Sequence, residues 1–390
     1  MQHTRLALAC LAAMLAGAFS ARAQQPVKIG LINVLSGQFA DAGVQLENGI
    51  KTYMQQHGDV VAGRKVELIR RDVGGVAPDV AKRFAQELVV RDKADLLAGF
   101  LLTPNALAAA DVSAQSKLFM VVMNAATSII ITKSPYMIRT SVTLPQAMGT
   151  FGTWAATHGI KKCYTMVTDY GPGHDSETAF QGAFKAAGGE IIGSVRFPVA
   201  NPDFSAFVQR AKDLDPECIF IFIPGGAQPA ALGKAFAARG IDLSKTKVLG
   251  SGETTSEQAL KAMGDAALGL ITAWHYDYKS AAPLNVNFVK AVNQMHGRNP
   301  DFFSVGGYDG MHAIYEVLKK TGGRTDADAM IAAAKGMHWD SPRGPMSIDA
   351  QTRDVVQNIY IRRVEKVGGE LVNVPFDKID NVKDPTNAGG

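Results

Sequence analysis

Cysteine is nearly absent from this chain, with three in 390 residues. That scarcity excludes a disulfide-built scaffold, and the spacing of Cys163 and Cys218 matches no metal site. Long apolar runs are missing after the first 23 residues. No later stretch approaches the ~20 continuous apolar residues that cross a bilayer. An excess of one charge is missing too. Setting aside Arg5 and Arg22 of the opening segment leaves 38 of the 40 basic residues against 36 acidic ones. So even a balance leaves no electrostatic footprint for nucleic acid or an anionic membrane. Catalytic signatures are also lacking. No G-x-G-x-x-G opens the first helix, and there is no phosphate loop, no G-x-S-x-G elbow and no H-E-x-x-H.

What is present begins with MQHTRLALACLAAMLAGAFSARA. A short polar start with Arg5 leads into an apolar run from Leu6 to Phe19. Ala21 and Ala23 then supply the A-x-A spacing of a secretory signal peptide. Cleavage is expected after Ala23, with the mature chain starting at Gln24. Cys10 lies inside the apolar run rather than behind it, so a lipid anchor at that position is rejected.

From Val27 the chain alternates short apolar runs with amphipathic stretches. VKIGLINV, KVELIRRD, ADLLAGF and LFMVVMNA read as strands, with helices between them. A similar alternation restarts near Lys161. There KKCYTMVTD, EIIGSVRFP, CIFIFIPG, TKVLGSG and ALGLITAWHY read as strands, and SETAFQGAFKAAGG reads as the helix after the first of them. Apolar runs of this length separated by helices imply parallel sheets covered on both faces. Two doubly wound α/β units therefore occupy one chain. The last 50 residues differ, with two strand-like runs about a Gly-Gly turn.

Several motifs occur in order: SGQFADAG at 36–43, NAAT at 124–127, TDYGPG at 168–173, PDFSAFVQRAK at 202–212, GSGETT at 250–255 and GGYDGMHAIYEVL at 306–318. With these the mature chain resembles the leucine/isoleucine/valine-type receptors of bacterial ABC importers. The resemblance implies two Rossmann-like lobes joined by three crossovers, with ligand in the cleft between them. It places the crossovers near Thr140–Thr143, Ala273–Tyr276 and Gly344–Met346. Lobe 1 would combine 26–141 with 276–344, and lobe 2 would combine 142–275 with 345–390. The partners implied are a small amino acid or organic acid and the importer's membrane subunits. The expected receptor is a periplasmic monomer, not an enzyme, with no cofactor and no metal. The alternative of another class is a ligand-sensing module for a signalling partner.

Ligands in open α/β sheets sit beyond the carboxyl ends of the strands, where helix N-termini suit a carboxylate. Ser36 follows the first strand, Thr103 and Asn105 the third, and Asn124, Ala125, Ala126 and Thr127 the fourth. Thr103 before Pro104 reads as a helix cap. By resemblance, Thr103, Ala125 and Thr127 grip a carboxylate and Glu253 faces the ligand's ammonium. Tyr170 and Phe303 wall the cleft, and Ala227 faces it. Tyr308 and Asp309 read as structural, locking a helix start against the hinge. Ala42 and Ala227 stand where the leucine-type receptors carry tyrosines, which opens room for an aromatic or extended aliphatic acid. Cys163 and Cys218 open the first and third strands of the second unit. In a 2-1-3-4-5 order these are neighbours, and either a disulfide or two buried thiols fits.

Overall fold

The computed structural model describes residues 25–243 and 245–386; the signal segment and its cleavage point lie outside the described residues. The first sheet holds β1 (Val27–Asn33), β2 (Val60–Val61), β3 (Arg64–Asp72), β4 (Leu96–Gly99), β5 (Phe119–Val122) and β6 (Met137–Arg139) in the order β2-β3-β1-β4-β5-β6. Apart from the antiparallel β2–β3 edge, its pairs are parallel. Helices α1 (Ala40–His57), α2 (Pro78–Val90) and α3 (Thr103–Ser116) connect the strands.

The second sheet begins after the short helix α4 (Thr150–Thr157). It holds β7 (Lys162–Thr168), β8 (Glu190–Phe197), β9 (Cys218–Phe222), β10 (Lys247–Ser251) and β11 (Ile271–Trp274). Their order, β11-β10-β9-β7-β8, is the 2-1-3-4-5 arrangement read from the end. Helices α5 (Gly171–Ala186), α6 (Phe204–Asp213), α7 (Gln228–Arg239) and α8 (Glu257–Met263) link these strands. The five residues of β9, CIFIF, are wholly buried, as a central parallel strand covered on both faces requires. Helix α5 starts at Gly171 rather than near Ser176. Pro172 is tolerated in a first turn, where its missing N–H has no partner to lose.

Helices α9 (Pro283–His296), α10 (Phe302–Thr321) and α11 (Ala327–Ala334) follow. Helix α10 seats on α1, where an added Cβ at Gly49 would lie 1.7 Å from the Ser304 carbonyl and one at Gly307 would lie 2.1 Å from that of Leu46. Tyr308 donates to Gln56 across the same contact at 2.8 Å. Four last strands, β12 (His338–Ser341), β13 (Gly344–Ile348), β14 (Val355–Val367) and β15 (Glu370–Val382), join the second sheet antiparallel, through β14 against β11. The second sheet is therefore mixed, and β12 carries it past the boundary expected at Gly344–Met346.

Asp309 ties these parts together. Buried in α10, it accepts hydrogen bonds from Trp339 Nε1 at 3.1 Å, Ser341 Oγ at 2.8 Å and Arg343 Nε at 2.8 Å. Arg343 in turn donates to the carbonyls of Thr140 and Ser141, on the chain leaving the first sheet. One buried ion pair thus bonds an α10 side chain to two expected crossovers.

Cys163 and Cys218 face each other in register on β7 and β9, with Cα atoms 4.4 Å apart, and form a disulfide. The expected result is that leaderless protein, denatured without reductant, titrates no free thiol. Replacing both cysteines by serine should cost about 2–4 kcal/mol of stability, read from urea unfolding.

Candidate functional site

The carboxyl ends of the two sheets face one narrow cavity between them. From the first sheet come Thr103, Asn124, Ala125 and Ala126, with Phe39, Ala42, Leu101 and Leu102 beside them. From the second come Tyr170, Pro172, Pro224, Gly225 and Glu253, and Phe303 at the start of α10 completes the wall.

Thr103 is not the cap that its sequence suggests. Leu102 holds the N-cap position without a side-chain bond, and Thr103 is the first helical residue. Its hydroxyl is bonded instead to that of Thr127 at 3.0 Å, so the two threonines form one buried pair. A Cβ added at Gly171, where α5 begins, would sit 3.4 Å from Thr127 Oγ1 and 3.7 Å from Thr103 Cγ2. The N-termini of α3 and α5 therefore converge on the threonine pair from opposite halves. Each carries unsatisfied N–H groups and a positive dipole end, worth roughly 0.3–1 kcal/mol to an anion and up to about 2 where partly buried.

The NAAT turn is shaped from behind by Arg139. This fully buried guanidinium pairs with Asp354 at 2.7 Å and donates to the carbonyls of Ala125 at 2.9 Å and Thr127 at 3.0 Å. The Ala125 N–H is already bonded to the Phe100 carbonyl at 2.9 Å. The Ala125 N–H is therefore not free to grip a carboxylate as the resemblance implied. Asn124 braces the turn by donating to the Leu101 carbonyl at 2.8 Å.

Glu253 sits on a short 3-10 turn after β10. It accepts the Gly225 N–H at 2.7 Å, and no Lys or Arg lines the cavity with it. Burial pushes its carboxyl up to about 7, against the lowering effect of that one N–H. Tyr170 lines the same cavity. Burial, and then the charge of Glu253, raise its phenol well above the ordinary range, so it stays a neutral donor. Phe303 is set by a capping box in which Asp301 accepts from the N–H groups of Phe303 and Ser304. Its ring packs 3.0 Å from where a Cβ on Gly225 would be.

Thr127 is outside the cavity lining and reaches the site through its bond to Thr103, and three other expected positions lie elsewhere. Ser36 is solvent-exposed. Asn105 turns away to hold the loop before α2, accepting from Ala77 N at 3.0 Å and donating to the Gly75 carbonyl at 2.8 Å. Ala227 is exposed at the N-cap of α7, and the preceding residues, Pro224 and Gly225, reach the cavity in its place. The chain swings away there because Gly226 adopts φ +101°, and an added Cβ would lie 2.5 Å from the Gln38 carbonyl of the other half. That close approach, with Ser128 N donating to Asp175 Oδ2 at 3.0 Å, shows the halves in contact across the cleft. Phe39 lies within SGQFADAG without having been singled out, and Leu101, Leu102, Pro224 and Gly225 carry no motif signal. Arg139 carried one, a lone cation within the apolar run YMIRTSV.

The chain matches the model of the periplasmic binding protein family over residues 26–369. It is 42% identical over 385 residues to Leu/Ile/Val-binding protein homolog 6 of Brucella melitensis, covering 98% of each chain. Among solved structures, it is similar to a solute-binding protein of an ABC transporter from Rhodopseudomonas palustris BisB5 in complex with 3,4-dihydroxybenzoic acid. Identity there is 51% and the TM-score 0.90, over 93% of this chain and 99% of that one. A solute-binding protein from Rhodopseudomonas palustris HaA2 in complex with p-hydroxybenzoic acid is 39% identical with a TM-score of 0.91, over 94% of this chain and 100% of that one.

Proposed function

The chain belongs to the periplasmic binding protein family, and on that premise we propose that it captures a small aromatic carboxylate, a hydroxylated benzoic acid foremost, for an ABC importer. One observation carries this reading: the cavity joins Thr103, bonded to Thr127 where two helix N-termini converge, to a buried, uncompensated Glu253, with rings and proline faces between. A benzoate carboxylate suits the threonine pair. A phenolic hydroxyl suits a carboxyl group that burial keeps protonated near neutrality. The 51% and 39% identical receptors, solved with hydroxybenzoic acids, support the same class.

A second reading rests on Glu253 as an anion. A hydrophobic amino acid would bring an ammonium group to it, in line with the name of the 42% identical relatives. Against this stand the small Ala42 side chain in the cavity wall and the absence of another acid in the lining.

In this proposal the ligand docks on the first half and closure brings Tyr170, Gly225 and Glu253 over it. The closed monomer then engages the importer's membrane subunits. We place the lobe boundaries at residues 141/142 and 275/276, with the third moved from 344/345 to ahead of β12, and the leader cleavage after Ala23. The family is one of periplasmic solute receptors, and among the described residues no helix is long and apolar enough to cross a membrane. We assign no catalytic step.

Thermal-shift and calorimetric titration of benzoic acid, 4-hydroxybenzoic acid, 3,4-dihydroxybenzoic acid, leucine and phenylalanine tests the proposal. Hydroxybenzoic acids should stabilise the protein by about 2.7 kcal/mol at a hundredfold excess over Kd. Thr103→Val should weaken their binding about 10- to 100-fold, the loss of one hydrogen bond to a charged group. Stabilisation by leucine alone would reject the aromatic reading.

A further inference from the structure

A second, polar cavity lies behind the candidate site where the two halves meet. Its walls include Glu257, Asp277, Asp301, Arg362, Asn373 and Tyr278. Glu257 stands in the first turn of α8, beyond the second sheet. Asp301 caps α10, the helix seated on α1 of the first half. Asp277 follows β11 at an expected crossover, and Arg362 comes from β14. Three carboxyl groups, Asp277 and Asp301 buried and Glu257 half-buried, thus crowd one guanidinium in the cavity wall, with Lys279 and Arg298 as further cations beside it.

Arg362 does not discharge them by direct pairing. It donates to the Tyr276 carbonyl at 2.6 Å and to Thr272 Oγ1 at 3.1 Å. Its Nε and the Asn373 Oδ1 are both buried without a partner among the described residues. No grouping of side chains among the described residues could hold a metal ion. Taking up a proton would lower this crowding of like charge.

We propose that closing the cleft takes up a proton in this cavity, with Glu257 as its main acceptor, so that acidification favours the closed receptor. The inference rests on the two halves meeting here and not on which ligand is bound. Glu257 faces Asp301, Asp277, Arg362 and Tyr278. Asp301 also faces Asp41 and Arg298, themselves ion-paired at 2.6 Å. Asp277 faces Arg362 and Lys279. His275 is held neutral by burial, aided by Arg343 and Arg362, and adds no charge change. In the closed form, burial and then Asp301 push Glu257 up to about 8, and burial pushes Asp301 to about 7.

Separating the halves returns water to Glu257, which restores the ordinary carboxyl range of about 4.3. Asp301 keeps its helix-capping bonds in either state and changes less. The closed form thus binds more protons than the open one. Its added stability is complete below the open-state value and is lost as pH rises through about 8.

Small-angle X-ray scattering of unliganded, leaderless protein at about pH 5.5 and 8.5 tests this. A Glu253→Gln background removes the titrating acid of the ligand site. The closed-to-open ratio should fall at least tenfold on going to the higher pH. Adding Glu257→Gln should leave the receptor compact at both values. Asp277→Asn, which removes one neighbouring charge, should lessen the change and serves if the first variant fails to fold. An unchanged pH response in a folded Glu257→Gln variant, or no response in the parent, would overturn the proposal.

Discussion

Between about pH 5.5 and 8.5, the preference of this receptor between an amino acid and a hydroxybenzoic acid is expected to shift by about a thousandfold. The reason is that Glu253, pushed up to about 7 by burial, must be anionic for one ligand and neutral for the other. An amino acid presents an ammonium group, so it binds the ionised carboxylate. Below about pH 7 that form must first be produced by releasing a proton, and affinity falls up to tenfold per pH unit. A hydroxybenzoate already carries one negative charge into a cavity without Lys or Arg. It therefore binds beside a protonated Glu253, and above about pH 7 its affinity falls up to tenfold per unit. The two limbs run in opposite directions, so their ratio changes by their product. Calorimetry at several pH values, in buffers of different ionisation enthalpy, reads the proton directly. Glu253→Gln should keep hydroxybenzoate binding, remove the part of its pH profile that comes from Glu253 and leave the weaker fall linked to cleft closure, while abolishing amino-acid binding. If that variant instead loses the aromatic ligand and keeps leucine, the assignment of Glu253 as a neutral partner is wrong.

Asp309→Ala is expected to lower stability by about 3–5 kcal/mol, the largest effect foreseen for a residue outside the cavity. The substitution leaves the buried Arg343 guanidinium without its counter-charge, and removing one partner of a buried pair costs far more than the pair contributes net. Burial already pushes Arg343 down against the pull of Asp309, which shows how little water compensates there. Trp339 Nε1 and Ser341 Oγ would lose their acceptor as well. Urea unfolding followed by circular dichroism gives the loss. Arg343 also holds the Thr140 and Ser141 carbonyls, so the variant should additionally loosen amide exchange protection along 140–143. A loss below about 1 kcal/mol would mean that solvent reaches the pair.

Local pattern carried much of this molecule. Strands such as CIFIF and LFMVV announce themselves, because a strand buried on both faces must be apolar throughout. Glu253, Tyr170 and Thr103 were legible in turns at the carboxyl ends of strands, where an α/β sheet places its ligands, and Phe303, at the start of a helix, through the resemblance alone. Ser36, Asn105 and Ala227 were misplaced for a common reason. A turn of four or five residues can point any of its members at the cleft, and its own hydrogen bonds decide which one. Asn105 serves the loop before α2, and Gly226 swings Ala227 outward.

Order along the chain, by itself, determined the α/β class and two repeating units, since these follow from hydropathy period and turn chemistry over a few neighbouring residues, while the cleft between them came from the resemblance. Only the tertiary structure decided that Thr103 bonds Thr127 instead of capping its helix, that Cys163 meets Cys218, and that three acids gather around Arg362. Those facts depend on segments tens to hundreds of residues apart being brought within a few ångströms. There, exclusion of water changes what a hydroxyl, a thiol or a carboxyl group does, and no local stretch of sequence encodes that distance.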